Sequence, residues 1–265
     1  MFDELRVRAR KSRLVRNTYG KLRWFSSPEG FSEINQKIKH FGWSVQCPFC
    51  GWQGNEFYAH PEPHPRPNCL CPNCYSKERH RLLNLYLDAI DTFSSKPINM
   101  LDIAPGPYSK YWEREIWMAN GQYLSLDLES KLALVRGDII YLPFADRLFD
   151  IVICYHVLEH VPYDMEAMQE LRRILKPGGR LFVDVPILRD ITDEDLNVTD
   201  PKERLLRFGQ DDHVRQYGND FYDRLAKAGY NVNCIDFSDR LPSQIIKRFG
   251  LSKGMIINEC EPVQS

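Results

Sequence analysis

The sequence predicts an α/β fold, a mostly parallel sheet preceded by a small cysteine-stapled module, and three observations carry that prediction. Residues 98–107 read INMLDIAPGP: an apolar run ends in Asp102 and passes into a loop carrying Gly106, as an α/β domain does where its first strand opens a pocket. The next apolar stretch, QYLSLDL, reaches Asp127 about 21 residues beyond Gly106, the separation at which a second strand brings a carboxylate to a ribose. Ahead of both, Cys47-Pro-Phe-Cys50 and Cys71-Pro-Asn-Cys74 stand 20 residues apart, the spacing of two metal-binding knuckles.

A chain of 265 residues supports one large domain with a small attachment and can bury a sizeable core. Its formal net charge of −1 hides an asymmetry: residues 1–95 carry 14 Lys/Arg against 9 Asp/Glu, and the remainder 21 against 27. A mildly basic front allows an anionic partner without requiring one. No apolar run approaches membrane-spanning length and no signal-peptide core follows the basic start, so a soluble, unexported chain is expected. Four of the eight cysteines fall in CxxC pairs and the rest sit mostly in apolar strands, which fits a reducing cytoplasm better than a disulfide framework.

In chain order, residues 1–40 form a basic arm or helix, in which Arg6, Arg8, Arg10, Lys11, Arg13 and Arg16 alternate with apolar residues; it is either a solvated helix or a contact for RNA, acidic lipid or an acidic partner. Residues 41–76 read as a zinc ribbon. Each CxxC presents two thiolates, and Cys47, Cys50, Cys71 and Cys74 together complete a closed tetrahedral site, so the Zn2+ is expected to be structural. Cys69 has the wrong spacing for a knuckle but could substitute, and His60 and His64 belong to a Pro-rich loop. Trp43, Phe49 and Trp52 either form the ribbon's miniature core or stack on bases. Residues 77–96 form a linking helix with a Leu82, Leu83, Leu85, Tyr86, Ile90 stripe, and 97–265 the sheet domain.

Within that domain a third segment gives Gly137-Asp138 before LPF, and a fourth, FDIVICYHVLEH, brings Tyr155, His156, Glu159 and His160 to the same edge. Asp164 is read as the cap of a helix carrying Met165, Met168, Leu171, Ile174 and Leu175, closed by Lys176-Pro-Gly-Gly before a fifth strand, RLFVDVPI. The pieces LDIAPGP, SLDL, GDIIYLPFADRLFD, VLEHV, LKPGG and RLFVDVP, in this order and spacing over roughly residues 97–261, resemble the class I S-adenosylmethionine-dependent methyltransferases, in particular the type 11-like members. The resemblance implies a Rossmann-like sheet of seven strands in the order 3-2-1-4-5-7-6, its last strand antiparallel, with YNVNCIDF and MIINECE as the closing hairpin. In one place the chain departs from the family: Ala104, Gly106 and Tyr108 stand where three glycines are usual, with Pro105 and Pro107 between them.

The resemblance also implies roles. S-adenosylmethionine would lie with its ammonium side toward Asp102 and its methionine portion along the backbone of Ala104 and Gly106. Asp127 and Leu128 would meet the ribose, Asp138 and Ile139 the adenine, and Tyr155 would also border the cofactor. His156 could serve as general base or only as a packing residue. Arg79, His80 and Arg81 are candidates for an acidic substrate group, or an ordinary polar helix start. The long polar connection 189–218 reads as a functional cover, offering His213, Arg215 and Tyr217 to an acceptor beside His160, while Asp211 and Asp212 hold His213 or cap a turn.

These expectations favour methyl transfer to oxygen or nitrogen of a small or sugar-like acceptor. No Asp/Asn-Pro-Pro-Tyr/Phe follows the fourth strand and no Pro-Cys nucleophile stands there, which argues against base-directed amino or carbon methylation. RNA methylation stays open, because a zinc module with a basic front resembles the arrangement of some ribosomal-RNA guanine methyltransferases. So does a non-catalytic reading, with the altered loop unable to hold cofactor and the ribbon docking a partner.

Overall fold

A computed structural model describes residues 42–60, 65–93 and 96–263. The basic arm and His64 lie outside the described residues. The ribbon begins with an antiparallel pair, β1 (Val45–Gln46) and β2 (Gln53–Gly54), and a second pair, β3 (Tyr58–His60) and β4 (Arg66–Leu70), leads into Cys71. The two knuckles share one backbone form. The amide of Cys47 donates to Trp52 and that of Cys71 to Ser76, while the amides of Gly51 and Tyr75 donate back to Cys47 and Cys71. Both fifth residues have positive φ, +70° for Gly51 and +59° for Tyr75, so the second knuckle holds a side chain in the conformation glycine adopts freely.

Helix α1 (Glu78–Ala89) follows and buries His80, Arg81, Leu82, Leu83 and Leu87. The three leucines are almost wholly excluded from water, each burial stabilising the fold by about 1.5–3 kcal/mol. The sheet then starts with β5 (Asn99–Ile103), α2 (Ser109–Met118), β6 (Gln122–Asp127), β7 (Val135–Arg136), β8 (Phe149–Tyr155), α3 (Asp164–Ile174) and β9 (Leu175–Asp184). Next come β10 (Ile187–Arg189), β11 (Asp193–Glu194), α4 (Pro201–Phe208) and β12 (Arg215–Gly218). The chain closes through α5 (Phe221–Lys227), β13 (Tyr230–Ile235), α6 (Phe237–Arg240), α7 (Ser243–Arg248) and β14 (Ile257–Pro262).

Seven strands form one sheet in the order β7-β6-β5-β8-β9-β14-β13, with β14 antiparallel to both neighbours and the other pairings parallel. The third strand is only a two-residue stub. The Lys176-Pro-Gly-Gly run, expected to precede the fifth strand, lies inside β9 as an irregularity against β8. Strand alternation divides the core in two. Leu101, Ile103, Val152 and Cys154 face α3 and α5, whereas Met100, Ile151, Ile153 and Tyr155 face α1, α2 and the ribbon. Phe49 of the ribbon packs on Trp112 and Tyr108, with ring centroids 5.2 and 5.3 Å apart, so the ribbon is built into the second core.

The connection after β9 is not an open polar loop. β12 lies between β10 and β11 in a three-stranded sheet, with α4 alongside. Asp164 is not a cap either: Tyr163 holds that position, and the buried Asp164 carboxylate accepts from Tyr217 Oη at 2.6 Å and Arg224 Nη2 at 2.7 Å. Among the described residues no helix is long and apolar enough to cross a membrane.

Candidate active site

A cleft of about 680 Å³ opens at the carboxyl ends of β5, β6, β7 and β8, where the sheet order reverses and α/β sheets bind ligands. Ala104, Asp127, Leu128, Asp138, Ile139, His156 and His160 line it, so most expected cofactor residues share one cavity. Asp127 ends its strand by accepting the Glu129 and Ser130 amides on Oδ1 at 2.8 and 2.7 Å, which folds the following loop; Oδ2 has no partner among the described residues. Asp138 braces the next turn through Ile140 N at 3.1 Å. Ala104 occupies the first glycine position of the loop with φ +55°, the left-handed conformation that glycine would accept without the Cβ penalty.

His156 is held between acids, Nδ1 3.0 Å from Glu159 and Nε2 3.3 Å from Asp184. Burial alone would lower its pKa, but the contacts to Asp184 and Glu159 override it and the pKa is raised. With both ring nitrogens engaged and the proton retained, His156 is poorly suited to the general-base role expected of it. Its φ of +56° is uncommon for a residue with a side chain, and such outliers cluster at working sites. Asp184 was not singled out in the sequence; it pairs in register with Tyr155 at the end of the neighbouring strand, and strand adjacency is the signal that finds it.

Several expected site residues belong instead to the framework. Asp102 is buried, accepts Tyr123 Oη at 2.9 Å and does not line the cleft. Burial pushes its pKa up to about 6, against the Ser109 and Tyr123 hydroxyls, so its ionisation opposes folding increasingly as pH rises through that value. Gly106 and Tyr155 also lie outside the cleft lining. A Cβ on Gly106 would sit 2.4 Å from the Tyr108 ring, which fills the third glycine position and stacks on His80 with centroids 4.2 Å apart. His80 is therefore not a substrate ligand: its Nδ1 accepts the Lys77 amide at 3.2 Å and its Nε2 lies 3.3 Å from Tyr108 Oη.

Arg81 is likewise structural. Its guanidinium donates to the carbonyls of Cys69, Ser76, Phe249 and Gly250 at 2.7–2.9 Å, clasping ribbon to carboxyl-terminal segment over the face of Phe57. Arg79 is half-buried, and its Nε has no hydrogen-bond partner. Arg215 is 1% exposed and binds Glu194 together with the carbonyls of Leu158, Val161 and Pro162, and Tyr217 is consumed by Asp164. Neither reaches the cleft; they fasten the cover to the loop that carries His160. His213 is buried behind His160, ring centroids 4.6 Å apart, with Nδ1 3.1 Å from Phe208 O. Asp212 pairs with His160 at 3.1 Å rather than with His213.

The four knuckle thiols converge. One sulfur atom from each of Cys47, Cys50, Cys71 and Cys74 lies within 4.8 Å of the others, with Cys47–Cys74 and Cys50–Cys71 separations of 3.6 Å. Tetrahedral zinc with ligand bonds of about 2.3 Å requires sulfur separations of about 3.8 Å, so the set fits that ion. Cys69 stands apart, donating to Glu78 at 2.7 Å. Ser76 Oγ lies 3.3 Å from one sulfur of each knuckle, Cys47 Sγ and Cys74 Sγ, and accepts from the latter.

Comparison with known proteins matches part of the chain. Residues 105–183 match the family described as methyltransferase domain. An uncharacterized protein of Methanocaldococcus jannaschii is 46% identical over 64 residues, 23% of this chain and 28% of that protein. Ajmaline N-methyltransferase of Rauvolfia serpentina is 26% identical over 133 residues, 44% of this chain and 46% of that enzyme. The chain thus spans less than half the length of either relative. Among solved structures, a Burkholderia thailandensis 1,6-didemethyltoxoflavin-N1-methyltransferase with bound S-adenosylhomocysteine aligns at 12% identity and TM-score 0.46, over 71% of this chain and 79% of that one. Residues 105–183 thus match a methyltransferase domain, and most of the residues that line the cleft fall within that stretch.

Proposed function

We propose that the chain methylates oxygen or nitrogen of a small acceptor, using S-adenosylmethionine held by the strand-end cleft and a structural zinc ion in the ribbon. The observation that carries this reading is the free Oδ2 of Asp127 in a cleft that Asp138 and Ile139 also line. When bound, S-adenosylmethionine supplies a methyl group already activated on a sulfonium, so the protein's task is alignment. Asp127 accepts from the ribose hydroxyls. Leu128, 55% exposed, and buried Ile139 offer apolar walls for the adenine. The left-handed turn at Ala104 steers the loop backbone past the methionine portion, and His156 keeps Glu159 and Asp184 at fixed places on the acceptor side.

The relatives whose names specify an acceptor, ajmaline and sterols, favour a small molecule. The zinc reading rests on the closed four-thiol set, which leaves no position for a substrate. Calorimetry with S-adenosylhomocysteine tests the cofactor assignment: Asp127→Ala should weaken binding about 100-fold, the loss of two charge-assisted hydrogen bonds. Wild-type affinity in that variant would reject the cleft as the cofactor site. Strong binding of bulk RNA that collapses with added salt would replace the small acceptor with RNA.

A further inference from the structure

Beside the cleft, Glu159, His160 and His213 bring one ligand atom each to within 4.8 Å of one another. Glu159 is 0% exposed, yet among the described residues neither carboxylate oxygen has an aligned hydrogen bond; His156 is in ion-pair contact with Oε1 at 3.0 Å. The His156 contact offsets part of the cost of burying this carboxylate, and it reaches Oε1 only, leaving the lone pairs of Oε2 open. His213 is 3% exposed, and its Nε2 also has no hydrogen-bond partner among the described residues. Two elements far apart in sequence are held together here: the amide of Val214 donates to Glu159 O at 3.0 Å, and Arg215 grips the carbonyls of Leu158 and Pro162 on either side of it.

The tautomers follow from the neighbours. Phe208 O lies 3.1 Å from Nδ1 of His213, and a carbonyl only accepts, so Nδ1 carries the proton and the Nε2 lone pair is free. The Asp212 carboxylate, 3.1 Å from Nδ1 of His160, fixes that ring in the same way. An oxygen acceptor on one imidazole nitrogen and a bare lone pair on the other is how proteins prepare histidine to bind a metal. The two rings, with the bare Nε2 of His213, and the Glu159 carboxylate, which His156 contacts through Oε1, form a two-nitrogen, one-oxygen set that suits a divalent first-row ion and leaves coordination positions open.

We infer that Glu159, His160 and His213 bind a divalent transition-metal ion, separate from the ribbon thiols, with an open position toward the cleft that His160 and Asp212 line. Such an ion would hold an acceptor oxygen or nitrogen at the methyl-transfer edge; this role rests on the proposed function, whereas binding of the ion does not. The test is titration of Co2+ into the full-length, zinc-replete protein. One further equivalent should bind, giving weak ligand-field absorption without sulfur-to-cobalt charge transfer. His213→Gln and Glu159→Gln should each weaken it at least tenfold. No uptake by the wild-type protein beyond the thiol site, or uptake showing sulfur ligation only, would overturn the assignment without recourse to any variant. Uptake unchanged in both variants would overturn it too. Retained S-adenosylhomocysteine binding without Co2+ uptake removes only the metal; Co2+ uptake without S-adenosylhomocysteine binding removes only the methyltransferase reading.

Discussion

The four-thiol cluster and the Glu159–His160–His213 cluster answer the same chemical problem in opposite ways. In the ribbon every ligand comes from a knuckle of a few residues, the set is closed, and Arg81 and Phe49 bury it against the sheet. At the cleft the ligands come from a strand-end turn and from a cover more than fifty residues later, buried polar atoms stay unpaired, and one wall faces solvent. A closed set contributes to folding; an open one is kept at a cost to folding and has value only when something binds.

Substitutions at the two clusters should therefore differ in kind as well as in size. Cys71→Ser should have the largest effect: loss of the ribbon metal in elemental analysis and a destabilisation of more than about 5 kcal/mol, since metal binding there is part of folding. Unchanged metal content would dissolve the contrast by removing its closed member. Arg81→Met should come next, about 3–5 kcal/mol in denaturant unfolding, because three buried carbonyls and one half-buried one lose their donor. A change under about 1 kcal/mol would mean that the ribbon is not fastened through this clasp. Asp212→Asn should be the mildest. Its exposed carboxylate only orients His160, so Co2+ affinity should fall about tenfold with stability unchanged. An effect on folding instead of on affinity would make this cluster structural as well.

How far each cluster was legible follows from the same difference. The cysteines declare themselves by spacing, and Asp127 and Asp138 by their places after apolar runs, because a strand that ends in a short turn leaves its last residue little choice of direction. His80, Arg81, Arg215 and Tyr217 sit equally close to the motifs, yet all are drawn inward onto backbone carbonyls or other side chains. A polar residue near a motif reads as functional whether it faces the cleft or the core, and only the packing of distant segments decides. The cover shows this most clearly: its polar composition reads as a loop, whereas paired strands and Arg207, bound to Asp193 and Asp195, give it internal order. Glu159 is visible as an acid just past the fourth strand, but its nearness to His213 depends on the cover arriving from the other side.

Tyr108 ties the two halves of the molecule to one another. With its ring against both Phe49 and His80, it makes the loop entered by Ala104 a neighbour of the first knuckle. If the ribbon holds its ion and the cleft its donor as proposed, the two affinities are linked through this contact: a donor seated along the loop raises the affinity for the ion, and an empty ribbon lowers that for the donor by the same factor. Measuring the zinc affinity with and without S-adenosylhomocysteine reads that factor directly, and equal affinities would mean that the tyrosine only fills space.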